Sequence, residues 1–194
     1  KKPVTLLDFD EARRIPVMTS LSASKDVLKN HHDKKFFFNE GITIVNNLFA
    51  MNQIPFYSVA CGGSVACSAF SLVYKMGFSR IILVGQDLAL TGNKTHADGT
   101  FKDKMDEIDA QSGEYFEVEA IDGGKVLTRE DFNRYRIWFE DRAKEWKHIT
   151  MVDATEGGAL IHGSKIMTLK HAIRKYCKRD YNVKWHIDHS KKLF

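Results

Sequence analysis

The sequence predicts an α/β protein with a Rossmann-like, mostly parallel sheet and helices on both faces. Three observations carry this. Strand-like and helix-like segments alternate along the chain, the pattern of a layered α/β domain. Residues 56–84 read as strand, helix and strand, the size of one crossover unit. Arg80-Ile81-Ile82-Leu83-Val84 is a continuous apolar run, as a central strand buried on both faces requires.

Taken in order, Val4-Thr5-Leu6-Leu7 reads as a first strand and Phe36-Phe37-Phe38 as another, while residues 41–52 fit helix or strand. Phe56-Tyr57-Ser58-Val59-Ala60 is a strand that runs into Cys61-Gly62-Gly63-Ser64. Val65, Ala69, Leu72, Val73 and Met76 then fall on one face of a 3.6-residue period, and Gly77 ends that helix. The 80–84 strand stops at Gly85-Gln86-Asp87, and a polar loop follows over residues 91–113. Tyr115–Glu119, the turn Asp122-Gly123-Gly124 and Lys125–Leu127 predict a hairpin inserted in the α/β body. Thr128, with Asp131 three residues on, has the spacing of a helix N-cap. The helix after it places Phe132, Tyr135, Phe139 and Trp146 roughly on one face. Ile149–Val152 is a further strand, ending at Asp153-Ala154-Thr155-Glu156-Gly157-Gly158. A last helix near residues 164–177 carries Ile166, Leu169, Ile173 and Tyr176 on a stripe. We read residues 1–177 as one domain, partial at its amino-terminal side, and residues 178–194 as a basic tail.

Composition narrows the function classes. In 194 residues, 29 Lys+Arg face 25 Asp+Glu, a net charge of +4, and 43% of residues are hydrophobic. That is core enough to exclude disorder. The charge is too small to predict nucleic acid as a partner and suits a domain that handles phosphates. No apolar run has the length of a membrane span. Three cysteines give no disulfide framework or paired zinc spacing, which predicts a reducing, cytoplasmic setting. No signal peptide is read at the start. The chain opens on Lys1 rather than Met, as expected of a trimmed chain or of a piece of a longer protein.

Three glycine-bearing bends are the leading candidates for a ligand site. Gly62-Gly63-Ser64 lies between a strand and a helix, where free backbone N–H groups and the helix dipole favour a phosphate. The plain alternative is a tight turn with Ser64 as an ordinary N-cap. Gly85-Gln86-Asp87 lies beyond the carboxyl end of a strand, where ligands bind in parallel sheets; there Gln86 and Asp87 would grip a ribose or a base edge, or Asp87 merely caps the next turn. Thr155-Glu156-Gly157-Gly158 occupies the same position after the 149–152 strand, and its alternative is a loop capped by Thr155. His96 and Asp98, in the loop Thr91–Thr100, suit general-base or phosphate contacts, although a lone loop histidine is most often solvated. Asp8-Phe9-Asp10 after a short strand is a weak pattern for a hard cation. His186 and His189 lack further ligands for a metal, and His31-His32 reads as a solvated turn.

Together these segments resemble the MptE-like family, which includes the motility-associated factors of bacteria and the archaeal 6-hydroxymethylpterin diphosphokinases. The residues that carry the resemblance are Gly62–Ala66, Met76-Gly77-Phe78, Ile81–Ala89, Thr91–Thr100, Asp122–Thr128 and Ala154–Gly163. It runs over roughly residues 36–175. A strand with a Gly-Pro-Ser-Leu-type loop, which usually opens such domains, is not found before Val4.

The resemblance implies a fold similar to that of bacterial sialyltransferases. It implies that Gly62, Gly63, Ser64, Gln86 and Asp87 contact a nucleotide, that Thr155, Glu156 and Gly157 close the same cleft, and that His96, with Asp98, lies near the transferring group. The activity implied is transfer of a nonulosonic, sialic-acid-like sugar from a CMP-sugar to Ser/Thr of flagellin or another surface protein. The alternatives are a diphosphokinase using ATP and Mg²⁺, with Asp87 and Asp98 near the phosphates, and a nucleotide-binding module without turnover.

Overall fold

The computed structural model of the chain describes residues 15–30, 33–54, 58–90, 115–180 and 182. It is a mixed α/β structure with parallel strand pairing. The chain divides into two compact units, one up to Cys61 and one from Gly62 onward.

The first unit pairs β1 (Val17–Ser20) in parallel with β2 (Lys35–Phe38), in the register Val17↔Lys35 to Ser20↔Phe38. The short helix α1 (Lys25–Asn30) connects them. Asn39 extends the parallel pattern by a bridge to Ser58, and Val59 N–H donates to Asn39 O at 2.9 Å. Helix α2 (Thr43–Met51) settles the ambiguity of residues 41–52. Buried Asn39 starts it: its Oδ1 accepts the Ile42 N–H at 3.2 Å, and its Nδ2 donates to Asn46 Oδ1. α2 itself buries no side chain.

The second unit opens with α3 (Val65–Lys75), then β3 (Arg80–Leu83), the antiparallel hairpin β4 (Tyr115–Glu119) and β5 (Lys125–Arg129), and α4 (Glu130–Glu145). β6 (Thr150–Asp153), β7 (Lys165–Ile166) and α5 (Leu169–Tyr176) complete it. The sheet order is β3-β6-β7, all parallel, with Leu83↔Asp153 and Asp153↔Ile166 as the last registered pairs. Two packed clusters hold the unit. Phe70 of α3 meets Phe139 edge-on at 5.4 Å, and Tyr74 stacks on Trp146 at 3.9 Å, geometries that aromatic pairs favour. Val152, Ala154 and Ala172 are buried together beneath Ile82, Met167, Leu169 and Tyr176.

Several elements depart from the sequence reading. α3 has the predicted span, but Val65 is 87% and Met76 59% exposed. The buried face is Cys67, Ser68, Phe70 and Ser71, because Phe70 must reach the aromatic side chains of α4. β3 is not buried on both faces: Ile81 and Leu83 are buried and Val84 is exposed, an alternation with period two. Thr128 is no N-cap; it sits inside β5, fully buried, and its hydroxyl donates to Leu88 O at 2.8 Å. Ile166 belongs to β7 rather than to the last helix, which starts at Leu169 under a Thr168 cap. The Phe56–Ala60 strand is represented by the single Ser58 bridge, residues 55–57 lying outside the described residues. Val4–Leu7 and the loop 91–113 lie outside them as well.

Candidate functional site

β3 and β6 are parallel neighbours, so the bends that follow them emerge at the same end of the sheet. Backbone and threonine hydrogen bonds tie the two bends together. Ala154 N–H donates to Leu83 O at 2.9 Å, Gln86 N–H to Thr155 Oγ1 at 3.1 Å, and Ala159 N–H to Asp87 O at 2.8 Å. Gly158 is the point of closest approach. Its φ is +84°, and a Cβ there would stand 2.7 Å from the Asp87 Cα, so only glycine fits. Gly157 has open space around it. Glu156 adopts a left-handed φ of 66°, and its Oε1 accepts the Leu169 N–H at 2.7 Å. The Glu156 carboxylate therefore satisfies a free donor at the start of α5, where the helix dipole also favours negative charge.

Two carboxylates define the electrostatics. Asp153 closes β6 and is 1% exposed. Its Oδ1 accepts the Thr155 N–H at 3.0 Å, while Oδ2 has no hydrogen-bond partner among the described residues. Burial pushes the Asp153 carboxyl above the usual aspartate range; the Thr155 N–H and hydroxyl pull it down, and the nearby Asp87 charge pushes it up. Asp87, half-buried, is also raised by burial. Desolvation and like charge act here in the direction expected for paired carboxylates. Asp153 was not singled out from the sequence. The available signal was an acidic residue closing an apolar strand immediately before a glycine-rich bend.

The far end of the 154–163 loop is anchored separately. Glu140, buried on α4, accepts the Arg136 guanidinium at 2.6 Å, the His162 backbone N–H at 3.0 Å and the His162 ring Nδ1 at 2.8 Å. His162 Nε2 lies 3.1 Å from Glu119 Oε2 at the end of β4. The hairpin is fixed to the same loop by Leu160 N–H to Glu119 O at 2.8 Å and Ile121 N–H to Gly158 O at 3.1 Å.

The structure thus brings Gln86 and Asp87 together with Thr155, Glu156 and Gly157. The Gly62-Gly63-Ser64 bend is employed differently. Ser64 is the N-cap of α3: its Oγ accepts the Cys67 N–H at 3.2 Å, and its hydroxyl donates to Cys67 Sγ at 3.1 Å. A Cβ on Gly62 would meet Cys67 Sγ at 2.6 Å and Trp138 Cγ at 2.7 Å. A Cβ on Gly63 would stand 3.2 Å from Tyr135 Cε1. These glycines make room for aromatic side chains of α4. His96 and Asp98 lie outside the described residues, as do Asp8-Phe9-Asp10, His31-His32, His186 and His189. Among the described residues no group of three or more His, Cys, Asp or Glu side chains gathers as a metal cage, and no helix is long and apolar enough to cross a membrane.

Parallel strands whose carboxyl ends carry meeting, glycine-bearing bends are the usual setting of ligand sites in α/β domains. Over residues 4–93 the chain matches the family model described as 6-hydroxymethylpterin diphosphokinase MptE-like. This is the family read from its motifs. The matched stretch takes in the Gly62-Gly63-Ser64 and Gly85-Gln86-Asp87 bends and stops before His96, so Thr155, Glu156 and Gly157 fall beyond it. No curated protein and no solved structure matches the chain.

Proposed function

We propose that this chain is the nucleotide-handling domain of a cytoplasmic transferase that moves a nonulosonic sugar from a CMP-sugar to a serine or threonine of flagellin or another surface protein. The observation that supports this best is the junction of Gly85-Gln86-Asp87 with Thr155–Gly158 at the ends of β3 and β6. In this reading Gln86 and Thr155 position the nucleotide, and the open backbone at Gly157 faces the phosphate. Backbone N–H groups fixed in place stabilise the charge that develops on the departing phosphate without reorganising. Holding donor and acceptor together supplies the remaining acceleration. Asp87, whose carboxyl burial pushes above the usual aspartate range, accepts the proton of the attacking hydroxyl; His96 and Asp98 are proposed beside it. Ser64 completes the nucleotide contacts in the same proposal.

A second reading, transfer of diphosphate from ATP to a pterin alcohol, is favoured by the description of the matching family and by the Asp87–Asp153 pair, since diphosphate chemistry needs carboxylates and a hard cation near the phosphates. Thermal unfolding separates the two. CMP or CDP is expected to raise the melting temperature more than ATP with Mg²⁺ does. A strong shift with ATP and Mg²⁺ and none with CMP overturns the sugar-transfer reading. Turnover is read as the mass added to a flagellin incubated with CMP-sugar. No gain in mass beside a clear CMP shift leaves binding without transfer.

A further inference from the structure

We propose that the outward face of α5 docks on an anionic lipid bilayer, lying against its surface without spanning it. This goes beyond the transferase reading and does not depend on it. The charge of the chain is unevenly placed. From Lys165 to Arg179 stand six basic residues, Lys165, Lys170, Arg174, Lys175, Lys178 and Arg179, and no acidic one. The whole chain has a net charge of +4, so everything outside this stretch is net negative. All six residues are exposed, and none makes an ion pair with a carboxylate among the described residues. The helix keeps its cations on one side. Leu169, Ala172 and Tyr176 pack inward on the Val152 cluster, which leaves Lys170, Arg174 and Lys175 outside. α5 starts at the Thr155–Gly158 bend, where Glu156 Oε1 accepts the Leu169 N–H. It ends where Arg80 of β3 lies over the Tyr176 ring at 4.3 Å. Arg80, also exposed and without an acidic partner among the described residues, adds a further cation at that end.

The stability of the helix does not account for this arrangement. The macrodipole favours Arg174 and Lys175 in the last turn but disfavours Lys170 in the first, which holds no acidic residue. Lys170 and Arg174 stand four residues apart, a like-charge pair that weakens a helix. An anionic partner offsets both costs. Its chemistry follows from what lies beside the cations. Ile173, three residues from Lys170 and so its neighbour on the helix surface, is 48% exposed. A bilayer surface offers acidic headgroups over hydrocarbon and meets both side chains. A nucleic-acid backbone offers phosphate without hydrocarbon. An acidic peptide would have to place single carboxylates against flexible lysines, whereas a bilayer presents its charge as a continuous sheet.

The test is co-sedimentation of the 194-residue chain with vesicles of two compositions. One is phosphatidylcholine alone, and the other contains about one third phosphatidylglycerol. The expected result is binding to the anionic vesicles, little to the neutral ones, and release as salt rises past about 0.3 M. Lys170→Glu is the decisive variant. It puts a carboxylate in the first turn and four residues before Arg174, both favourable to α5, so the helix is kept. Its partition onto anionic vesicles is expected to fall about tenfold or more, and that of Ile173→Gln about threefold. Lys125→Glu makes the same change of charge on the exposed hairpin and is expected to stay within about twofold of wild type. Wild-type binding by Lys170→Glu, equal losses in Lys170→Glu and Lys125→Glu, or no preference for anionic vesicles overturns the proposal. Capture by polyglutamate or duplex DNA without binding to anionic vesicles identifies a different polyanion and overturns the bilayer as partner.

Discussion

The glycine-bearing bend before α3 and the pair of bends after β3 and β6 look alike in sequence and are packed differently. At Gly62-Gly63-Ser64 the missing side chains are replaced by Trp138, Tyr135 and Cys67, and the serine hydroxyl is committed to capping α3. At Gly85–Asp87 and Thr155–Gly158 the absent side chain of Gly158 lets two backbones touch, and beside them Asp153 Oδ2 is buried with no partner among the described residues. At the first bend the serine hydroxyl serves the helix cap. At the second, one buried carboxylate oxygen is without a partner among the described residues. The difference teaches that a strand-glycine-helix pattern does not by itself mark a site; what marks one is a polar group that the fold leaves without a partner.

The largest effect that would break this comparison belongs to Gly158. Gly158→Ala places a Cβ against the Asp87 main chain, on a backbone with φ of +84°. Neither neighbour is the end of a flexible side chain, so the two bends must separate. A loss of about 3 kcal/mol or more is expected in urea unfolding. Gly85→Ala is the matched control: its φ is +66°, but nothing lies within 4 Å, so only the left-handed backbone is penalised, about 1–2 kcal/mol. Equal losses in the two variants would mean that the bends do not meet as described.

The contrast also explains what was legible in the sequence. The hairpin β4–β5 was read at nearly its true bounds, because alternation and an Asp-Gly-Gly turn are local signals. The span of α3 was legible for the same reason, through Ser64 at one end and Gly77 at the other. Its buried face was not. Apolar spacing pointed to Val65 and Met76, and only the presence of the α4 aromatics selects Phe70 and Cys67 instead. Ile166 reads as part of a helical stripe because a two-residue strand has no period of its own; pairing of Lys165-Ile166 with Val152-Asp153 creates it. Asp153 is not legible as a site residue in the sequence, because its burial and the lack of a partner for Oδ2 among the described residues are properties of the neighbouring strand and bend. That the bends of Gln86-Asp87 and Thr155-Glu156-Gly157 follow two strands is legible because position after a strand is readable without knowing the partner strand.

A smaller effect sharpens the comparison at the far end of the same loop. Burial alone would raise the Glu140 carboxyl, but the His162 N–H and imidazole and the Arg136 guanidinium together hold it below the ordinary glutamate range. A group lowered in the folded state stabilises above its unfolded value, about 4.3, and that contribution is lost as pH falls through the folded value. Glu140→Gln is therefore expected to cost about 2 kcal/mol at neutral pH, the scale of charge-assisted hydrogen bonds. The gap between variant and wild type should close as pH drops below about 4. A gap that stays constant from pH 7 to pH 3 in thermal unfolding would show that Glu140 is not the anchor of the 154–163 loop.

The smallest effect addresses the other bend. As an N-cap, Ser64 satisfies one backbone donor of α3, so Ser64→Ala should cost about 1 kcal/mol. That cost is a property of the helix and appears with or without ligand. The transferase proposal adds a second requirement, because a serine that contacts nucleotide must also change the CMP-induced shift in melting temperature. Asp87→Asn removes a group from the open bend and is expected to abolish that shift. If Ser64→Ala lowers stability by the capping amount and leaves the CMP shift intact while Asp87→Asn removes it, the Gly62-Gly63-Ser64 bend is structural and the ligand belongs to the ends of β3 and β6. If both variants abolish the shift, one nucleotide spans both bends, and Ser64 both caps the helix and meets the ligand.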